Sequence, residues 1–196
     1  MRQAVSGMFF GVLCFLLADC GKFAGANEDD KKNDSLFLGI SLGMERKAFY
    51  DYCWEQNKKK LFIHGPTNQN VQYQLLNELE EPVAMRFYPT FYEDKIYEMP
   101  VTFTYEAWAP WNRRFWADSL LVHMVPVFKR WYGDDFKKSK HPTMGDIYYK
   151  IDGTRRINLF RKDDQYVQAV FTDLKVERKL KAVRTEKIKA ESERKQ

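Results

Sequence analysis

Two stretches of the chain run the same course. MRFYPTFYEDKIYEMPVTFT (85–104) and RINLFRKDDQYVQAVFTD (156–173) both pass from a strand-like run through an acidic turn to a tyrosine, then into an alternating run ending Phe-Thr. Alternation of apolar and polar residues gives a strand one buried face, and so short a turn joins antiparallel neighbours only. Each stretch also follows a segment of helical spacing. ERKAFYDYCWEQNKKK (45–60) gathers lysines in its last turn, where they oppose the helix dipole. NRRFWADSLLVHMVPVFKRWYG (112–133) sets Leu120, Leu121, Met124, Phe128 and Trp131 on one stripe and stops at Gly133, with Pro126 expected to kink or divide it.

The segments between complete the pattern. SLFLGI (35–40) reads as a strand, and 65–70 as a loop. Strands are expected over 71–76, 83–92 and 96–108, then over 147–151, 155–161 and 166–173, with Asp152-Gly153 a hairpin signal. Pro89 and Pro100 predict edges, bulges or breaks. The fold expected is α+β: tandem αβββ units forming an antiparallel sheet with helices on one face, plus a C-terminal basic helix. Phe49, Cys53, Leu120, Leu121, Met124, Phe128, Leu159 and Phe171 should share one core.

The N-terminus carries an address. Ala4 to Ala18 is uncharged, which fits a signal-peptide core and falls short of the roughly 20 residues that span a bilayer. The divisions expected are a signal peptide over 1–19, a flexible tether over 20–34, a single α+β domain over 35–174 and a basic helical tail over 175–196. Two processing sites compete: one before Cys20, the other after Ala26. The tail holds nine Lys or Arg against four Glu, which equals the whole net charge of +5. The body is therefore neutral, and no nucleic-acid partner is expected.

Leu17-Ala18-Asp19-Cys20 resembles the lipobox of bacterial lipoproteins, with Asp19 where a small residue is usual. The resemblance implies lipidation of Cys20 and a membrane anchor in the cell envelope, at the outer membrane. Leu42-Gly43-Met44 opening a helix before a meander resembles the small envelope lipoproteins that assist outer-membrane barrel assembly. The tandem αβββ layout is similar to β-lactamase inhibitor proteins. These resemblances imply an envelope protein partner and no catalysis.

The remaining residues carry no recognisable catalytic pattern. His64, His123 and His141 have no metal-ligand spacing, no nucleophile signature occurs, and Asp134-Asp135 and Asp163-Asp164 read as solvated turns. Neither catalytic residues, metal nor cofactor is expected. One stretch stands out: Trp108, Trp111 and Trp116 interleaved with Arg113 and Arg114. Exposed, it would bind a protein or a sugar ring; buried, it would fill the core beneath its arginines. The leading expectation is a non-catalytic envelope lipoprotein mediating protein–protein interaction. The alternative is a secreted module binding carbohydrate or a small ligand through this aromatic and arginine surface.

Overall fold

The computed structural model describes residues 34–65 and 70–194. Cys20, Ala26 and the apolar run before them lie outside the described residues. Within these the chain is α+β, with helices α1 (Arg46–Lys58), α2 (Ala117–Tyr132) and α3 (Leu174–Glu193). Strands β1 (Ser35–Phe37) and β2 (Ile40–Ser41) form a small hairpin. The main sheet has nine strands: β3 (Ile63–His64), β4 (Val71–Leu75), β5 (Val83–Phe87), β6 (Thr90–Tyr92), β7 (Lys95–Tyr105), β8 (Lys137–His141), β9 (Gly145–Asp152), β10 (Arg155–Arg161) and β11 (Val167–Asp173). Its order is β3-β4-β5-β7-β11-β10-β9-β8, with β6 also paired to β7, and every pairing is antiparallel. Strands from before α2 thus lie on one side of the β7–β11 pair, and those from after it on the other.

Alternation decides which face is covered. Ile157 and Leu159 of β10, Val167, Ala169 and Phe171 of β11, and Met99, Val101 and Phe103 of β7 are all buried on one face. Phe49 of α1 and Leu120, Leu121, Met124 and Phe128 of α2 join the same core, as expected, while half-buried Cys53 packs against it. Phe128 lies 5.8 Å from the Phe103 ring and 6.3 Å from that of Phe171, which ties α2 to both central strands.

Several elements differ from the sequence reading, each for a local reason. SLFLGI is a hairpin, not one strand: Leu38 and Gly39 turn with φ of +50° and +77°, the left-handed pair that matches strand twist in a tight turn. A Cβ on Gly39 would also meet the Tyr52 hydroxyl at 2.9 Å. The run 83–92 is interrupted at Tyr88-Pro89. Phe87 faces Val101 and Thr90 faces Glu98, so Pro100 lies opposite that interruption, which lets a central strand tolerate it. Pro126 does not divide α2; it and Val122, whose carbonyl loses a donor, both lie on the solvent side. Residues 113–115 form a 3-10 turn ahead of α2. Strands β3 and β8 were not anticipated at all.

The tail is helical from Leu174. The Asp173 carboxylate accepts from the Lys175 and Val176 amides, capping α3. Arg156 donates to both oxygens of Glu177, at 2.8 and 3.1 Å, which docks its first turn. Val176 and Leu180 are half-buried, and beyond them the helix runs out into solvent.

Candidate functional site

The tryptophan and arginine stretch forms the connection from β7 to α2. Trp108 and Phe115 pack against the core, and Trp116 is half-buried. The Arg113 guanidinium lies 5.0 Å over the Trp116 ring; that of Arg114 lies 5.4 Å over Phe115 and pairs with Glu81 at 3.2 Å. These rings are partly buried, with the arginines lying over Trp116 and Phe115. Only Trp111, 86 % exposed, stands free in solvent. None of the three tryptophans lines the clefts described next, so the structure does not bring them together as one surface.

Arg114 and Phe115 border a cleft of about 470 Å³ between α2 and the loop carrying Glu78, Glu80 and Glu81. Inside it the Tyr105 hydroxyl and His123 Nδ1 share a 2.6 Å hydrogen bond, and burial pushes the Tyr105 hydroxyl above the usual phenol range. Arg130 pairs with Glu78 at 2.8 Å, and the Trp131 indole donates to the same carboxylate at 3.2 Å.

A larger cleft, about 750 Å³, opens between the β1–β2 hairpin, β4 and the end of α2. Its floor is a buried ionic cluster. Arg155 Nε and Nη2 grip Asp152 at 3.0 and 2.6 Å, and Nη1 donates to the Ser35 carbonyl. Lys150 Nζ donates to the Tyr132 carbonyl and to Asp135, each at 2.5 Å, and lies 3.8 Å from Asp152. The hydrogen bond from Lys150 holds the Asp135 carboxyl below its ordinary value. Burial drives the Tyr132 hydroxyl far above the phenol range; it donates to the Leu36 carbonyl at 2.8 Å. Gly133, at φ +98°, leaves room for this ammonium, since a Cβ there would meet Nζ at 2.9 Å. Every charge in the cluster has an opposite partner, so it serves to fix β9, β10 and α2 together and presents no free nucleophile. Sequence reasoning missed it, although strand parity held the signal: Arg155 stands two residues before buried Ile157.

The other face of the sheet is only partly open: Ala84, Thr104 and Thr172, which belong to it by strand alternation, are buried. One row crosses it from strand to strand, through Gln72, Arg86, Thr102, Gln168, Phe160 and Ile147. All six are half-buried, in contrast to the fully buried face beneath. Arg86 Nε donates to Gln72 at 2.8 Å, and its Nη1 reaches the Tyr166 hydroxyl at 3.5 Å. At one corner α3 covers the sheet. There the hydrogen bond from Arg156 holds Glu177 below its ordinary pKa, while burial, aided by Glu177, pushes Glu98 up.

A third cleft, about 690 Å³ and mainly apolar, lies between α1 and the β3–β4 end of the sheet. It contains Cys53, whose thiol burial pushes up to about 11. That is an inert thiol, not a nucleophile.

Among the described residues, no group of three or more His, Cys, Asp or Glu is placed to hold a metal, and no helix is long and apolar enough to cross a membrane. No protein-family model, curated protein or solved structure matches this chain.

Proposed function

We propose that this chain is a non-catalytic envelope lipoprotein, anchored by a lipid on Cys20, whose domain binds another protein through the open face of its sheet. The observation that carries the reading is the cross-strand row from Gln72 to Ile147. It offers a row of partly exposed arginine, amide, hydroxyl and aromatic side chains that crosses six strands of one sheet. Such a mixture, with an aromatic and an arginine near its centre, suits recognition of a protein surface. We read the two sides of the sheet as degenerate αβββ units, each carried by its own helix, which is how so wide a face arises from a short chain. The reading of a sugar-binding module has Trp111 alone on its side.

Two measurements test this. Metabolic labelling with a fatty-acid analogue should mark the wild type and not Cys20→Ser; an unlabelled mature chain starting at Asn27 overturns the anchor. A photo-crosslinker placed at Gln168 or Phe160 in cells should give one discrete protein adduct, absent when it is placed at exposed Glu186 on the tail. Adducts of equal yield from all three positions overturn the open face as the binding surface.

A further inference from the structure

The apolar cleft at the β3 end has features that the open face does not use. Tyr50 and Trp54 of α1 line it together with Phe62, Ile63, Val71 and Tyr88. Four of these are large apolar side chains left open to solvent: Tyr50 at 43 %, Trp54 at 62 %, Ile63 at 44 % and Tyr88 at 41 %. A contiguous exposed apolar surface of this kind marks an interaction site. The Tyr50 and Tyr88 hydroxyls meet at 2.6 Å across it, so its wall is held in place.

Beside it runs a free strand edge. β3 pairs with β4 through Ile63 and His64, and among the described residues nothing pairs on its other side. Its remaining backbone groups are a template for another strand. The chain enters β3 from α1 through Lys58, Lys59 and Lys60. Lys58 pairs with Glu55 and lies 5.6 Å over the Trp54 ring. Lys59 and Lys60 form no ion pair among the described residues. The acid on the cleft, Asp51, is held by Lys47 at 2.6 Å. Lys60 stands at φ +60°, a left-handed position where glycine or asparagine is the ordinary choice.

We propose that this edge and cleft bind an extended, acidic segment of a protein partner. The segment adds to β3 as a further strand, sets an apolar side chain against Trp54 and Tyr88, and lays its carboxylates along Lys59 and Lys60. Main-chain pairing supplies affinity, while the pocket and the lysines supply specificity. This surface is separate from the open face, so either can fail without the other.

The test is selection of a random dodecapeptide display library on the full chain, followed by fluorescence anisotropy of the winning peptide. The expected consensus alternates apolar residues with Asp or Glu. Its affinity should fall at least tenfold on Trp54→Ala and again on Lys59→Glu with Lys60→Glu, all exposed positions that leave the fold intact. N-methylation of alternate backbone amides in the peptide should abolish binding. A consensus without acids, no enrichment over the Trp54→Ala chain, or indifference to N-methylation each overturns the proposal. So does recruitment of the chain to phosphatidylglycerol vesicles through Trp54 in the absence of any selected peptide, which would make the surface a lipid contact.

Discussion

At one end of the sheet β8 reads Lys137-Lys138-Ser139-Lys140-His141, and all five residues are exposed. At the other end β3 is only Ile63 and His64, beside Trp54 and Tyr88. Lysines along an edge deter another chain from pairing with it; β3 carries no lysine within the strand, and its shortness is its own protection. The interior follows the same division. Behind β8, the Lys150, Asp152 and Arg155 cluster is buried and fixes β9 and β10 to α2. Around α1, the ion pairs Arg46–Asp94, Lys47–Asp51 and Lys58–Glu55 all join exposed groups, which contribute little to stability. One end is tied by buried ion pairs and edged with lysines, and the other has only exposed pairs. This contrast is why the proposed strand partner is assigned to the β3 end and not to the β8 end.

The comparison presumes one cooperative body, and Phe128 tests that presumption. Buried at the contact of α2 with β7 and β11, it should cost about 3–5 kcal/mol when cut to alanine, through lost transfer energy and the cavity left behind. Urea unfolding followed by tryptophan fluorescence and by hydrogen exchange in β4 and β9 should show one shifted transition. Separate transitions at the two ends would mean that two independent units are being compared.

The staple should show next. Asp152→Ala leaves Arg155 buried with no carboxylate, only the Ser35 carbonyl and the Tyr132 ring, and removes one of two carboxylates near Lys150. Breaking a buried pair in this way should cost about 3 kcal/mol, whereas Trp54→Ala at the open end should cost less than about 0.5 kcal/mol. Equal midpoint shifts for the two variants in urea would erase the distinction between the ends.

Cys53 reports on the open end through chemistry. Alkylation needs the thiolate, and with its pKa raised from 9.0 to about 11 the thiolate fraction at pH 8 falls about a hundredfold below that of an ordinary thiol. The folded-state alkylation rate, resolved by peptide mass mapping, should therefore climb tenfold per pH unit up to about pH 11. A plateau near pH 9 would show that the cleft is wet and that its walls do not hold.

How much of this was legible before the coordinates follows from the physics of each element. The helical stripe from Leu120 to Phe128 and the alternation in 167–173 were plain because burial of one face imposes a period on the sequence. Asp152-Gly153 was plain because a two-residue turn needs that chemistry. β8 was invisible, since a guarded edge has no buried face and leaves no apolar period. β3 was invisible because two residues carry no period at all. The ionic cluster was hidden for another reason: Arg155 and Asp152 flank a turn, and charges at turns ordinarily face water. The tryptophan stretch stands out by composition alone, yet its rings are divided between half-buried and exposed positions. The apolar cleft draws on α1, the start of β4 and Tyr88, segments whose meeting depends on tertiary packing.

The smallest expected change in stability comes from exchanging the guards themselves. Replacing Lys137 and Lys140 by valine removes exposed charges from β8, neither of which forms an ion pair among the described residues, so the urea midpoint should stay where it is. What should change is association. Valine at both positions gives β8 an apolar, strand-favouring edge whose backbone groups are free on one side. The variant should sediment as larger species than the wild type does at the same concentration. The reciprocal variant, Ile63→Lys, should not raise association above the wild type and should weaken any peptide that pairs with β3, since it adds a lysine to that edge. Sedimentation velocity at several concentrations reads both. If the valine variant sediments as the wild type does, the lysines of β8 are not its protection; the exposed pairing edge is then blocked by shape, and the same geometry would have to be considered at β3.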